Sequence, residues 1–349
     1  MIATPTNPHT AGSNPNNASP NDTNNIDYTE ARISWSDEDY AAFGRKNQLF
    51  QHNYHTLPLF QKDTLIDVLE NYPREWLQAF TMGPDPTIRS DWQSVDIHPD
   101  TTGEEIWQSV EKGRLWLNLI FLQKFSQDYA DLVEGMYAHV GEHSPHLCGP
   151  KASFTTLLIS SPGAQVYYHM DQSPNMLWHM SGQKKLWVYP AMDLRLVPQD
   201  FLEEIYSGEV SEFLPYQREF DQYAEQYLLP PGTVVSWPHN SPHRIENLTM
   251  NVSLTTSYDA PLGRRRELVQ KANRYILRNL GVKNRSIEEV GIRPSIKRLS
   301  YRVLNKIKPF KPTKHPHDDY VTDLQIDPSM PEGLRRLDEA VTASFSKHR

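Results

Sequence analysis

The feature that most constrains this 349-residue chain is a histidine and an aspartate two positions apart, His169 and Asp171, at the end of a strand-like stretch. Residues 154–168 before them are β-branched and aromatic with a Pro-Gly turn in the middle, which predicts a hairpin or two strands. Residues at i and i+2 of a strand point to the same face, so both side chains can bind one metal ion. The pair therefore predicts a metal site in a mainly β domain.

A third ligand has to come from elsewhere, and two histidines compete for the position. His239 and His243 both lie in residues 230–247, which contain a Pro-Gly turn, a short apolar strand and a further proline. One of them is expected to be the ligand and the other a neighbouring or solvated residue. Two imidazoles and one carboxylate on one side of a metal leave open positions on the other. That arrangement suits Fe(II) that must bind a co-substrate and O2 together.

The two segments resemble the metal-binding motifs of cupins, and an aspartate stands at the place of Asp171 in the oxygenase branch of that fold. The surroundings of His243, with Trp237 before it and Ile245 after it, resemble those of the ligand histidine in JmjC-type enzymes. Over about residues 100–260 the chain is similar in local motifs to the asparaginyl hydroxylase of hypoxia-inducible factor. This resemblance implies a double-stranded β-helix (jelly-roll) with helical flanks, and Fe(II) held by His169, Asp171 and His243.

The same resemblance implies the co-substrate. Gly182-Gln183-Lys184 matches a family Gly-x-Lys whose lysine binds the distal carboxylate of 2-oxoglutarate, and Asn175 matches a position near the co-substrate. A lysine inside an apolar barrel is unfavourable unless an anion pairs with it. Trp116 stands where the family has a tyrosine, and Val166 where it has a threonine, so two polar contacts to this carboxylate differ. Lys185 is the adjacent alternative and would face the opposite side of the strand.

The resemblance thus implies an Fe(II)/2-oxoglutarate-dependent oxygenase. Such an enzyme converts 2-oxoglutarate and O2 to succinate and CO2 while it oxidises a C–H bond of a substrate, by hydroxylation or demethylation. Relatives act on proteins, RNA and small molecules, so the substrate stays open. A non-catalytic cupin-like ligand-binding or regulatory protein is the alternative, and a cupin dioxygenase or isomerase without 2-oxoglutarate is a third. The metal residues disfavour the non-catalytic protein, and Lys184 disfavours the cupin enzyme without 2-oxoglutarate. The fold alone decides neither question.

Composition divides the chain into four segments. Residues 1–27 are rich in Asn, Thr, Ser and Pro with almost no apolar content, which predicts a disordered tail. Residues 28–112 are predicted to form a mainly helical flank. Residues 113–262 are predicted to be the jelly-roll catalytic core, and residues 263–349 a basic helical region.

Three local patterns lie within these segments. Residues 62–71 have apolar positions at helical spacing, and Thr102-Gly-Glu-Glu105 is a capping box that predicts a helix to about Lys112. Residues 193–227 are a mostly acidic insert with many aromatic residues. We expect the insert either to form a rim over the pocket or simply to pack on the barrel.

The charge of the C-terminal region is lopsided. Residues 264–314 hold sixteen Lys or Arg against three Glu, in a chain of formal net charge −8. Apolar residues recur there at helical spacing: Leu268, Ala272, Tyr275, Ile276, Leu280, Leu299, Val303, Leu304 and Ile307. The favoured interpretation packs these helices on an acidic surface of the same or another subunit, and we expect a homodimer through them. Binding to RNA or to anionic lipid is less favoured.

The remaining composition indicates a soluble cytoplasmic enzyme. Hydrophobic residues make up 38% of the chain, and no apolar run approaches the length of a membrane span. The N-terminus has no apolar segment typical of a secretory signal. Cys148 is the single cysteine, which excludes an intramolecular disulfide and agrees with a reducing compartment.

Overall fold

The computed structural model describes residues 26–144, 152–258, 261–311 and 320–347. Nearly all of the predicted disordered tail, and Cys148, lie outside the described residues. The described part is mainly antiparallel β-sheet with helices. None of its helices is long and apolar enough to cross a membrane.

The helices and strands have the following bounds. The helices are α1 Asp37–Ala42, α2 Lys62–Asn71, α3 Gly103–Lys112, α4 Leu122–Phe125, α5 Gln127–His143, α6 Gln199–Tyr206, α7 Pro261–Ala272 and α8 Ile292–Ile307. The strands are β1 Gln48–Gln51, β2 Leu77–Thr81, β3 Gln93–Val95, β4 Leu115–Ile120, β5 Ala152–Ser160, β6 Gln165–His169, β7 Asn175–Ser181, β8 Lys184–Val188, β9 Glu225–Leu229, β10 Thr233–Ser236, β11 His243–Asn247, β12 Asn251–Tyr258, β13 Val321–Ile326 and β14 Leu334–Thr342.

Two predicted helices have the expected bounds. In α2 the buried residues are Leu65, Val68 and Leu69, at the spacing of one helix face. At the start of α3 the predicted capping box is confirmed. The Thr102 hydroxyl accepts from the Glu105 amide, and the Glu105 carboxylate accepts from the Thr102 amide at 2.8 Å. Each contact satisfies an amide that a helix N-terminus would otherwise leave without a partner.

Two antiparallel sheets enclose the core that carries the site. The larger has the order β1-β10-β7-β12-β5-β4-β2-β3, and the smaller β6-β11-β8-β9. Apolar side chains of both sheets meet in one buried cluster, with Leu158 and Leu177 from the larger sheet and Leu186 and Ile245 from the smaller. β6 and β11, which carry His169 and His243, contribute Val166 and Ile245 to this cluster.

The N-terminal flank differs from the prediction of a mainly helical segment. It contains helices, but its strands β1, β2 and β3 are part of the larger sheet. β1 pairs with β10, so that Gln48 lies opposite Ser236. Such short strands gain their hydrogen-bonding partners from distant parts of the chain, which local periodicity does not reveal.

The C-terminal region also differs from its prediction. α7 and α8 are helices as expected, but β13 and β14 form a hairpin. β13 lies beside β3, where the Asp96 amide donates to the Leu324 carbonyl at 2.8 Å. Basic residues after α7 pair with acidic residues of the insert: Arg274 with Glu209, Arg278 with Glu204, and Arg285 with Glu203. α7 and the residues just after it therefore pack on an acidic surface of the same chain.

Candidate metal centre

The three residues expected to bind a metal meet at one end of the smaller sheet. β6 and β11 are antiparallel neighbours, and His243 lies directly opposite His169. His243 Nε2 is 3.4 Å from Asp171 Oδ2, and His169 Nε2 is 3.8 Å from Asp171 Oδ1. The two imidazole centroids are 4.1 Å apart. One ligand atom from each residue lies within 4.8 Å of the others, so the group can hold a metal ion.

Backbone contacts fix which imidazole nitrogens are free. His169 Nδ1 is 2.8 Å from the Tyr167 carbonyl, and His243 Nδ1 is 3.2 Å from the Ser241 carbonyl. A carbonyl only accepts, so each Nδ1 carries the proton and each Nε2 offers a lone pair to a metal. Burial, and then the proximity of His169, lower the pKa of His243 to about 4, so His243 is neutral at physiological pH.

His239, the competing histidine, lies outside this group. Its Nε2 is 2.7 Å from the Gln172 carbonyl. Burial is also the main reason that its pKa falls to about 4. His239 thus contacts the backbone beside Asp171 and supports the loop that carries this aspartate, while His243 offers its nitrogen to the centre.

Asn175 contacts the aspartate directly. Its amide nitrogen donates to Asp171 Oδ2 at 2.7 Å, and its amide oxygen accepts from the Ser257 hydroxyl at 2.9 Å. This pair of contacts fixes the orientation of the carboxylate that faces the two imidazoles. Asn175 also lines the cavity, so the position implied by the resemblance lies at the site.

Sequence reasoning missed a second support of the aspartate. The Asn240 side chain donates to the Asp171 carbonyl at 2.9 Å and accepts from the Tyr206 hydroxyl at 2.6 Å and from Arg266 at 2.8 Å. Asn240 has φ +66°, a left-handed conformation that asparagine tolerates better than most residues. Arg266 itself pairs with Glu289. These contacts connect α7 to the loop that carries Asp171.

The centre opens into a cavity of about 1320 Å³. Its apolar floor includes Leu158, Val166, Leu177 and Ile245, which belong to the core between the sheets. Its walls are aromatic and include Trp92, Trp116, Phe213 and Tyr320. Residues of β13 and β14 line it too, so the C-terminal hairpin forms part of the wall.

The acidic insert contributes directly to the site. Phe213 forms a β-bridge with His169, and the Met170 amide donates to the Glu212 carbonyl at 3.1 Å. Both insert residues line the cavity, so the insert forms a rim as well as packing on the sheet. Burial, and then Asp171, raise the pKa of Glu212 to about 8. No sequence signal pointed to Glu212, because its approach to Asp171 depends on how the insert folds back.

Lys184 faces the interior between the sheets. It shares its strand face with Leu186 and Val188 and is only 1% exposed, whereas Lys185 is exposed. Burial lowers the pKa of Lys184 to about 7, and no carboxylate among the described residues forms an ion pair with it. Lys184 lies opposite Asn247 while Val188 lies opposite His243, so roughly 13 Å of strand separates it from the ligand. Lys184 is not among the residues that line the cavity, which ends at the apolar floor.

Trp116 takes the place of the expected hydroxyl donor at the cavity wall. Its ring centroid lies 5.8 Å from that of Phe80 and 5.2 Å from that of Trp92. The indole can donate one hydrogen bond but cannot accept one. Trp116 is one of the residues that line the cavity.

The donor set fits a non-haem iron ion. Two imidazole nitrogens and one carboxylate oxygen on one side, with an open cavity on the other, are the ligands of a facial triad. Each imidazole has its second nitrogen hydrogen-bonded, and the carboxylate is oriented by Asn175, so the set is preorganised.

Comparisons with known proteins find only solved structures of low similarity. No protein-family model and no curated protein matches the chain. A structure of Escherichia coli ycfD matches with TM-score 0.48 and 16% identity over 80% of this chain and 70% of that one. YcfD, a ribosomal oxygenase from Escherichia coli, in complex with cobalt and 2-oxoglutarate matches with TM-score 0.47 and 14% identity over 80% and 69%. Its complex with cobalt and succinic acid matches with TM-score 0.45 and 15% identity, with the same coverage. Similarity of this size establishes no shared activity.

Proposed function

We propose that the protein is an Fe(II)/2-oxoglutarate-dependent oxygenase of the JmjC-like, jelly-roll type. The observation that carries the proposal is the facial set of His169, Asp171 and His243, which has free Nε2 atoms and opens into a large cavity. A protein that only bound a ligand would not need open metal positions facing such a cavity. The packing of two antiparallel sheets around one core supports the jelly-roll.

The ligand residues have separate tasks. His169 and His243 would bind iron through Nε2, while their Nδ1 protons stay on backbone carbonyls. Asp171 would supply the negative charge, and Asn175 holds its carboxylate in place. When bound, the iron supplies the oxidative decarboxylation of 2-oxoglutarate by O2, to succinate and CO2, coupled to oxidation of a substrate C–H bond.

Lys184 would bind the distal carboxylate of 2-oxoglutarate. It is a buried cation without an ion pair among the described residues, and it lies on the interior face, on the same side of β8 as the core residue Leu186. A dianionic co-substrate that extends from the centre toward this lysine would neutralise the buried charge. For this contact the apolar side chains between Lys184 and the cavity have to move apart.

The cavity walls would exclude water from the reacting atoms. Trp92, Trp116 and Phe213 surround the opening, and Phe213 is fixed by its bridge to His169. The protein's contribution is then to orient the substrate carbon near the metal and to keep the reaction away from solvent.

Succinate formation tests the proposal. The full chain with Fe(II), ascorbate and 2-oxoglutarate should form succinate slowly even without a substrate. His243→Ala and Asp171→Ala should abolish it, because each removes a metal ligand. His239→Ala should keep much of the turnover, because the His239 side chain contacts the Gln172 carbonyl and the Tyr206 hydroxyl and lies outside the group of three ligands.

The outcomes separate the alternatives. No turnover by the intact chain, with metal bound at the three residues, would favour a non-catalytic ligand-binding protein. An inactive His239→Ala beside an active His243→Ala would mean that the third ligand is wrongly assigned.

We further propose that the protein is a homodimer, joined through α8. The exposed residues of one face of this helix are apolar: Ile292, Ile296, Leu299, Val303 and Ile307 are 81%, 59%, 62%, 49% and 75% exposed. An apolar stripe of this length, with basic residues beside it, is unfavourable in water. A second copy of the same helix can cover it by two-fold symmetry, and the acidic remainder of the partner can balance its charge.

A further inference from the structure

A second group of potential metal ligands lies at the end of α5. His139, Glu142 and His143 are spaced i, i+3 and i+4, which places them on the same side of the helix. One ligand atom from each lies within 4.8 Å of the others. The group shares no residue and no element with the first centre.

A tyrosine from α1 orients both histidines. The Tyr40 ring stacks on His143, with centroids 4.6 Å apart, and meets the edge of His139 at 5.5 Å. Tyr40 is buried, so it is a rigid support for two rings that lie partly in solvent. The imidazole centroids are 4.7 Å apart. The histidines are thereby held toward one another, which lowers the conformational entropy lost when a metal binds.

A backbone contact leaves one imidazole nitrogen of His143 free for a metal ion. His143 Nδ1 is 3.0 Å from the His139 carbonyl, so Nδ1 carries the proton and Nε2 is free. Glu142 is exposed, and its carboxylate makes no ion pair with the described residues.

We propose that His139, Glu142 and His143 form a second site, for a divalent transition metal ion such as zinc or nickel. Two imidazole nitrogens and a carboxylate oxygen are the donors that these ions prefer. Two histidines one helical turn apart can share one ion without any change in the backbone. The bound ion would cross-link the last turn of α5, and Tyr40 would couple that turn to α1.

Metal titration of the full chain tests the site. The Asp171→Ala chain, in which the first centre is disabled, should still bind about one equivalent of Ni²⁺ or Zn²⁺ in calorimetry. Its melting temperature should rise by a few degrees with saturating metal, because the ion binds only the folded state. Adding either His143→Ala or His139→Ala to this chain should abolish both the binding of this equivalent of metal and the rise in melting temperature.

His98→Ala is the matched control. His98 is likewise an exposed histidine beside a carboxylate, with Nδ1 3.7 Å from Asp100, but it belongs to no group of three. The His98→Ala change should leave the bound equivalent of metal unchanged. Equal metal binding with and without His143, or affinity only in the millimolar range, would overturn the proposal. His143→Ala in the otherwise intact chain should keep its succinate formation, so failure of the second site and failure of the proposed oxygenase remain distinguishable.

Discussion

Lys184 is the residue whose environment is most informative. A fully buried ammonium among apolar side chains, without an ion pair among the described residues, is unfavourable until an anion arrives. We expect Lys184→Met to weaken 2-oxoglutarate binding at least about tenfold, since a charge-assisted contact contributes about 1.5–3 kcal/mol. Calorimetry with Mn(II) in place of iron would measure the affinity for 2-oxoglutarate. Lys185→Met, on the exposed face of the same strand, is the control and should change little; similar small effects of both would sink the assignment.

The same lysine predicts a dependence on pH. Its pKa of about 7 means that the ammonium loses its proton as the pH rises above 7, so 2-oxoglutarate affinity should fall there. His179, which lies near Lys184, stays neutral in this range because burial and then Lys184 lower its pKa to about 3. The Lys184→Met chain should show no such fall between pH 6.5 and 9. A flat profile for the natural chain would contradict the assigned anion contact.

The stability of the ligand-free protein should rise with pH, whereas its affinity for 2-oxoglutarate falls. Between pH 7 and the ordinary lysine pKa, the unfolded chain binds a proton at Lys184 that the folded chain does not. The free energy of unfolding therefore rises with pH in this window. Lys184→Met removes the burial penalty, so it should raise the melting temperature most at pH 7 and below.

At the scale of elements, α7 supports the loop that carries Asp171 from outside the two sheets. Arg266 binds Asn240, and Asn240 binds the Asp171 backbone. We expect Arg266→Met and Asn240→Gly each to weaken metal binding roughly tenfold or more, as outer contacts of metal ligands commonly do. Glycine keeps the left-handed backbone at position 240, so this variant removes the side-chain contacts without straining the turn.

Lys271→Ala is the control for this prediction. Lys271 lies on the same helix and forms an ion pair with Glu267, one turn earlier on that helix. Metal titration and thermal unfolding together separate the two roles of Arg266. If Arg266→Met lowered the melting temperature but left metal affinity unchanged, Arg266 would only stabilise the packing of α7.

At the scale of the whole molecule, the exposed face of α8 predicts self-association. Light scattering of the full chain should give twice the mass of one chain. Ile296→Glu together with Leu299→Glu should give the mass of one, because two charges would be buried in the interface. Leu228→Glu introduces a charge at a similarly exposed leucine of β9 and should leave the dimer intact. A monomeric natural chain whose affinity for polyanions falls steeply with salt would instead support RNA binding.

What the sequence determined by itself is local. The His-x-Asp pair, the capping box of α3 and the face of α2 depend on spacings of two to four residues, and a strand or helix converts such spacings directly into geometry. The interior position of Lys184 follows from the same alternation along β8. Spacing could not decide between His239 and His243, because both lie in one turn-rich segment.

Only the tertiary structure brought the remaining residues together. His243 lies opposite His169 because β6 and β11 are paired, and Glu212 reaches Asp171 because the insert folds back on β6. The strands of the N-terminal flank, the C-terminal hairpin and the link from Arg266 to Asn240 also depend on contacts between distant segments. Such contacts are set by the packing of sheets and helices as a whole, and they leave no periodic signal in any one segment of the chain.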